Sequence, residues 1–207
     1  MILIDDHIHD YTPEQIAHWM DELPEWRRRQ ALAFKHDLGR RQCVLAYRLL
    51  CQGLRQGYGI TEQPTFLYGE HGKPHLHPSS FNLHPSPLIP HFSLSHCREA
   101  VCCAISDRPV GIDIENTGRK VGDGIVRYSM NEEEQRQIEE AGSLPDGSNE
   151  SDRAFLRLWT QKEAVAKLLG TGIRDDFKYI LAQGDFHIET RESDRWVMSI
   201  ASYRLGR

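Results

Sequence analysis

With 207 residues and 39% hydrophobic content, the chain is long enough to bury a sizeable core, either as one large domain or as two halves of about 100 residues. A formal net charge of −5 excludes a protein that coats nucleic acid, and apolar runs of only a few residues exclude a membrane span. Met1 to Asp6 lacks the basic flank and long apolar centre of a signal peptide, so a cytoplasmic address is expected. Cys43, Cys51, Cys97, Cys102 and Cys103 are odd in number and form no Cys-x-x-Cys. They are expected as small buried residues, not as a disulfide framework or a zinc site.

In chain order, Met1 to Ile4 reads as a short strand, followed by Asp6-His7-Ile8-His9-Asp10. A His-x-His after a strand can hold a metal, because alternate strand residues project to one face. That leaves a metal-dependent hydrolase as an alternative, although the chain is short for an eight-stranded barrel. Thr12-Pro13-Glu14-Gln15 has the pattern of a capping box and starts a helix to about Glu22. A second helix is predicted from Glu25 to about Phe34 and a third from about Gly39 to Gln56, with Cys43, Tyr47, Leu50 and Leu54 as its buried stripe. Arg27, Arg28, Arg29, Lys35, Arg40 and Arg41 crowd this region, as a solvated face or as a site for phosphate or an acidic partner.

Thr65 to Tyr68 is β-rich, and Gly69-Glu-His-Gly72 reads as a hairpin turn into Lys73-Pro74-His75-Leu76. The prolines at 78, 85, 87 and 90 predict an irregular loop. Phe92–Ser95, Ala100–Ser106 and Val110–Glu115 are β-type runs that read as an antiparallel meander. Within the third, Gly111-Ile-Asp-Ile-Glu115 puts two carboxylates on one strand face and two isoleucines on the other. Such a pair is either an acidic outer face or an oxygen site for Mg²⁺, which takes only one or two protein carboxylates.

A polar helix capped by Asn131 should run to about Ala141, followed by a Gly/Ser/Asp loop from Gly142 to Ser151. The next segment, through Gly170, has helical period, with Phe155, Leu158, Trp159, Ala166 and Leu169 on its apolar face. Trp159, Glu163 and Lys167 follow at intervals of four along one side. Phe177–Ala182, Phe186–Arg191 and Trp196–Leu205 read as three strands. The fold class expected is α+β, as two similar subdomains in pseudo-twofold relation, residues 1–108 and 109–207. Each has a small, mainly antiparallel sheet packed against helices, and the active site is expected at their interface.

Gly72-Lys-Pro74, then Phe92-Ser-Leu-Ser-His96, then Val110-Gly-Ile-Asp-Ile-Glu115, then Trp159-Thr-Gln-Lys-Glu-Ala164 with Lys167, together resemble the ordered signature of 4′-phosphopantetheinyl transferases. The Trp-x-x-Lys-Glu-Ala version and the two-subdomain length are similar to the monomeric, surfactin-synthetase-activating type. The resemblance implies transfer of phosphopantetheine from coenzyme A, the substrate, to a serine of an acidic acyl or peptidyl carrier protein. It also implies a monomer with Mg²⁺, or Mn²⁺, held by Asp113, Glu115 and Glu163, with Glu163 alternatively the catalytic base. Lys167 would pair with phosphate charge, Lys73, Pro74, Ser95 and His96 would hold the nucleotide, and Arg41 and Arg29 would face the 3′-phosphate. Asp113 would reach coenzyme A through the metal.

Two departures stand out. Ser93 replaces the usual asparagine of its block, and a long proline-rich insert separates Pro74 from Phe92, with Phe81-Asn-Leu-His84 inside it mimicking that block. A non-catalytic carrier-binding module is the other alternative; the Asp113, Glu115, Glu163 and Lys167 set argues against it, since a docking surface gains nothing from an uncompensated acidic cluster.

Overall fold

Thr12 opens the first helix with the expected capping box: its hydroxyl accepts from the Gln15 amide at 3.2 Å, while the Gln15 side chain accepts from the Thr12 amide at 2.8 Å. Helix α1 covers Pro13–Asp21, α2 covers Glu25–Leu32 and α3 covers Asp37–Tyr58, ending at Gly59 with φ +67°. The computed structural model describes residues 1–78, 89–142, 150–174 and 176–204. The chain divides into two units, Met1–Pro109 and Val110–Arg207.

In the first unit β1 (Ile2–Asp5) and β4 (His91–His96) flank β5 (Val101–Ser106), both antiparallel. Val44, Tyr47, Leu50 and Leu54 of α3 meet Phe92, Val101, Cys103 and Ile105 of this sheet in one apolar cluster. Beside it, β2 (Phe66–Tyr68) and β3 (Pro74–Leu76) form the predicted hairpin, turned by Gly72 at φ +79°.

In the second unit β6 (Val110–Asn116) and β7 (Phe186–Glu192) flank β8 (Trp196–Tyr203). Helices α4 (Asp123–Ser129), α5 (Glu132–Ala141) and α6 (Ser151–Leu169) precede β7. Asn131 caps α5 reciprocally with Glu134, as its spacing predicts. Both units thus begin with a strand and three helices and end with an antiparallel pair whose last strand pairs with the first, the first unit adding the β2–β3 hairpin in between.

Two expectations are corrected, and one helix is new. The predicted meander does not form, because β5 already has β1 and β4 on its two edges; β6 pairs instead with β8, Asp113 opposite Ser199. Phe177–Ala182 is a 3₁₀ helix, not a strand: Phe177 and Ile180, three apart, are buried while Tyr179 is half exposed. Helix α4 went unpredicted, since Gly122 supplies no side-chain cap to announce it. Phe81–His84, the loop at 143–149 and Leu205 lie outside the described residues.

Candidate active site

The site is built on a close approach of helix to strand. A Cβ at Gly111 of β6 would lie 1.9 Å from the Ala164 carbonyl oxygen and 2.6 Å from the Leu168 amide nitrogen. Only glycine fits there, and its absence of a side chain lets α6 rest backbone to backbone on the strand. Asp113 and Glu115 follow Gly111 at strand period, on the same face, whereas the alternate residues Ile112 and Ile114 are buried at 0% and 1% exposure. Glu163 and Lys167 each immediately precede one of the α6 residues that Gly111 touches.

Lys167 Nζ donates to Asp113 Oδ1 at 2.7 Å, and Asp113 is buried. Arg119 Nη1 donates to Glu115 Oε1 at 3.0 Å, and the Trp159 side chain also favours the charged form of the Glu115 carboxylate. Burial pushes the Glu163 carboxyl up to about 7, helped by the charges of Asp113 and Glu115 and opposed by Lys167. Burial, and next the charge of Asp113, also raise Glu115, with Arg119 and Trp159 pulling it back. The three carboxylates thus sense one another's charge inside a poorly solvated cluster. Among the described residues no three acidic, histidine or cysteine side chains are gathered closely enough to hold a metal as they stand. The donor set still suits Mg²⁺, an oxygen-seeking ion that needs only one or two protein carboxylates and completes its shell with water and phosphate.

Trp159 packs between Phe155, at a centroid distance of 5.7 Å, and Phe177, at 5.5 Å. Lys162 is fully buried, which the sequence analysis did not foresee. Its ammonium donates to the Ser129 carbonyl at 2.9 Å and the Lys178 carbonyl at 2.6 Å, and pairs with Glu134 Oε2 at 2.6 Å. Glu134 is the capping-box partner of α5, so Lys162 ties α6 to the ends of α4 and α5 and to the 3₁₀ helix. Burial lowers the lysine's pKa, against the pull of Glu134. A readable signal existed: Phe155, Trp159, Lys162 and Ala166 lie on one stripe, and a lysine in that stripe needs a buried partner. On the sheet side, Thr160 Oγ1 lies 2.8 Å from Ser199 Oγ, which lies 2.9 Å from Thr190 Oγ1, a hydroxyl chain that fixes α6 on β8 and β7.

The remaining candidates belong to the first unit. Lys73 and Pro74 stand at the β2–β3 turn, where burial lowers the Lys73 pKa. With His75, Leu76, Ile89, Pro90, His91 and Phe92, Lys73 lines a cavity of about 240 Å³. Ser95 is buried and His96 exposed at the end of β4, and Ser93 is buried opposite Ala104. Arg41 is buried, with Nη1 donating to the Ile8 and Tyr11 carbonyls at 2.9 and 2.6 Å, so it holds the loop between β1 and α1. Arg27 is likewise buried, donating to the Cys43 carbonyl at 3.0 Å. Arg29 is exposed and pairs with Glu25 at 3.3 Å. His7 lies 3.1 Å from Asp10 Oδ2, whereas His9 lies 2.8 Å from the Arg98 carbonyl, so the two rings turn to separate partners and build no metal centre.

Residues 109–201 match the family model of the 4′-phosphopantetheinyl transferase superfamily, a stretch that contains the whole Asp113, Glu115, Glu163 and Lys167 cluster. That stretch, the greater part of the second unit, is thus similar to the superfamily. Among curated relatives of this chain, the 4′-phosphopantetheinyl transferase gsp of Aneurinibacillus migulanus is 33% identical over 112 residues, 54% of this chain and 40% of the relative. The 4′-phosphopantetheinyl transferase Sfp of Bacillus subtilis strain 168 is 26% identical over 189 residues, 88% of this chain and 77% of the relative. The 4′-phosphopantetheinyl transferase psf-1 of Bacillus pumilus is 30% identical over 150 residues, 71% of this chain and 58% of the relative. The chain thus spans less than two thirds of the gsp and psf-1 proteins. No described helix of this chain is long and apolar enough to cross a membrane.

Proposed function

We propose that this chain transfers the 4′-phosphopantetheine group of coenzyme A to a serine hydroxyl of an apo acyl or peptidyl carrier protein. The products are holo-carrier and adenosine 3′,5′-bisphosphate. The observation that carries this reading is Glu163, raised to about 7, one helical turn from a Lys167 that is bonded to Asp113 of β6. A base poised near neutrality can take a proton from serine at working pH, and the lysine beside it can compensate phosphate charge.

In the reaction the serine oxygen attacks the β-phosphorus of coenzyme A and gives its proton to Glu163. The bond between that phosphorus and the bridging oxygen breaks, and the bisphosphate leaves with the electron pair. Lys167 orients the departing phosphate through charge-assisted hydrogen bonds. Asp113 and Glu115, with Glu163 beside them, would hold Mg²⁺ or Mn²⁺, which when bound supplies neutralisation of the pyrophosphate charge. Lys73, Pro74, Ser95 and His96 are assigned to the nucleotide on the match of their sequence blocks. Arg29 keeps its assignment to the 3′-phosphate, whereas the two carbonyls that Arg41 binds favour an architectural role for Arg41.

The carrier is expected to be acidic and to meet the basic cluster around the exposed Arg28, with the chain acting as a cytoplasmic monomer. Incubation with apo acyl and peptidyl carriers, coenzyme A and Mg²⁺, followed by intact-mass measurement of the carriers, tests the proposal. The expected result is a phosphopantetheine mass increment that EDTA abolishes. Carriers of every class remaining unmodified would refute it.

A further inference from the structure

Each acid of β6 is matched by a cation of the chain itself: Asp113 by Lys167 at 2.7 Å and Glu115 by Arg119 at 3.0 Å. The proposed reaction gives Lys167 work on the phosphate but leaves Arg119 without a role. Arg119 is set up as more than a chance surface charge. It lies four residues beyond Glu115, past the end of β6, and its guanidinium sits over the Trp159 ring at 5.6 Å. Trp159 is itself clamped between two phenylalanine rings. An aromatic face attracts a guanidinium, so the immobilised ring holds in place the cation that occupies Glu115.

We infer that Arg119 is an internal stand-in for the divalent cation at Glu115, and that metal binding requires this arginine to give up the Glu115 carboxylate. The inference rests on the metal assignment made above. A guanidinium and a dication on one carboxylate oxygen repel each other, so the two occupancies exclude one another. The arginine side chain is 33% exposed and that of Glu115 23% exposed, which leaves Arg119 room to swing toward solvent. The acidic strand is thereby kept compensated when no metal is bound, at the expense of metal affinity.

Partly exposed ion pairs of this kind are weak, so the competition is modest: Arg119→Ala should bind Mn²⁺ roughly two- to five-fold more tightly than wild type. Mn²⁺ titration of the full chain, read by the EPR signal of the free ion with and without coenzyme A, measures this directly. Arg119→Lys, which keeps the charge but loses the planar fork and most of the stacking, should fall between the two. In parallel, Mg²⁺ should change the intrinsic fluorescence of wild type, as the cation over Trp159 moves, and should leave that of Arg119→Ala unchanged. Unaltered or weaker Mn²⁺ binding by Arg119→Ala, beside normal wild-type binding, overturns the role of Arg119 alone. An Arg119→Lys constant equal to that of wild type also overturns it, since long-range charge would then suffice. Wild type and Glu115→Gln that both fail to bind Mn²⁺, even with coenzyme A, would remove the metal assignment and this inference with it.

Discussion

Gly111 and Ala164 are in backbone contact: a Cβ at 111 would overlap the Ala164 carbonyl oxygen at 1.9 Å. No rotamer change relieves such a clash, because the obstacle is main chain. The separation of α6 from β6, and with it the reach of Lys167 to Asp113, is therefore set by a residue that carries no chemistry.

Gly111→Ala should accordingly push α6 outward, destabilise the protein by about 1–3 kcal/mol and reduce turnover. Urea unfolding and the carrier-mass assay check the two effects together. A variant with wild-type stability would mean that the helix rests on the strand less tightly than the geometry says.

Glu163 gives a pH signature of stability. Its folded pKa of about 7 lies above the ordinary glutamate value of 4.5, so the native state binds more protons than the unfolded one between those values. Its contribution is fully present below about pH 4.5 and is lost as pH rises toward 7, and Glu115 acts in the same direction. Glu163→Gln should raise the melting temperature relative to wild type at pH 8 and narrow the gap at pH 5. Melting curves across that range, recorded in EDTA, would contradict this if the gap were independent of pH.

Base and ligand roles of Glu163 separate by the step that is lost. A pure base replaced by glutamine should lose turnover about 10²–10⁴-fold yet keep Mg²⁺-dependent binding of coenzyme A. Asp113→Asn should weaken that binding itself. Calorimetry showing Glu163→Gln as impaired in binding as Asp113→Asn would make Glu163 chiefly a metal ligand.

Lys162 and Glu134 form a buried pair at 2.6 Å, so truncating one partner strands the other's charge. Lys162→Met should cost about 3–5 kcal/mol in urea unfolding, and adding Glu134→Gln should restore a good part of it. Strict additivity of the two losses would show that the pair is not coupled.

Local periodicity made much of this legible. Strand alternation alone puts Asp113 and Glu115 on one face, and four-residue spacing aligns Trp159, Glu163 and Lys167 on α6. Capping boxes at Thr12 and Asn131 fixed two helix starts because their signal lies within four residues. Pairing of β6 with β8 was not legible, because it joins residues as far apart as Asp113 and Ser199, and the rule that β5 lacks a vacant edge exists only in three dimensions. Phe177–Ala182 is apolar enough to mimic a strand, and only burial at every third residue distinguishes it. The partners of Arg119 and Arg41 were equally hidden. An arginine's destination depends on which carbonyls or rings come within reach, which charge counting along a chain does not reveal.

Because β1 closes on β5 and β6 closes on β8, each half completes its own sheet without borrowing a strand from the other. During synthesis the ribosome releases Ser106 before any residue of the carboxylate strand, so the first half can form its hydrogen-bonded ladders while the second is still being made. The order of translation thus favours a finished N-terminal half ahead of the acidic cluster, whose sheet support, β8, emerges only after both the carboxylate strand and α6.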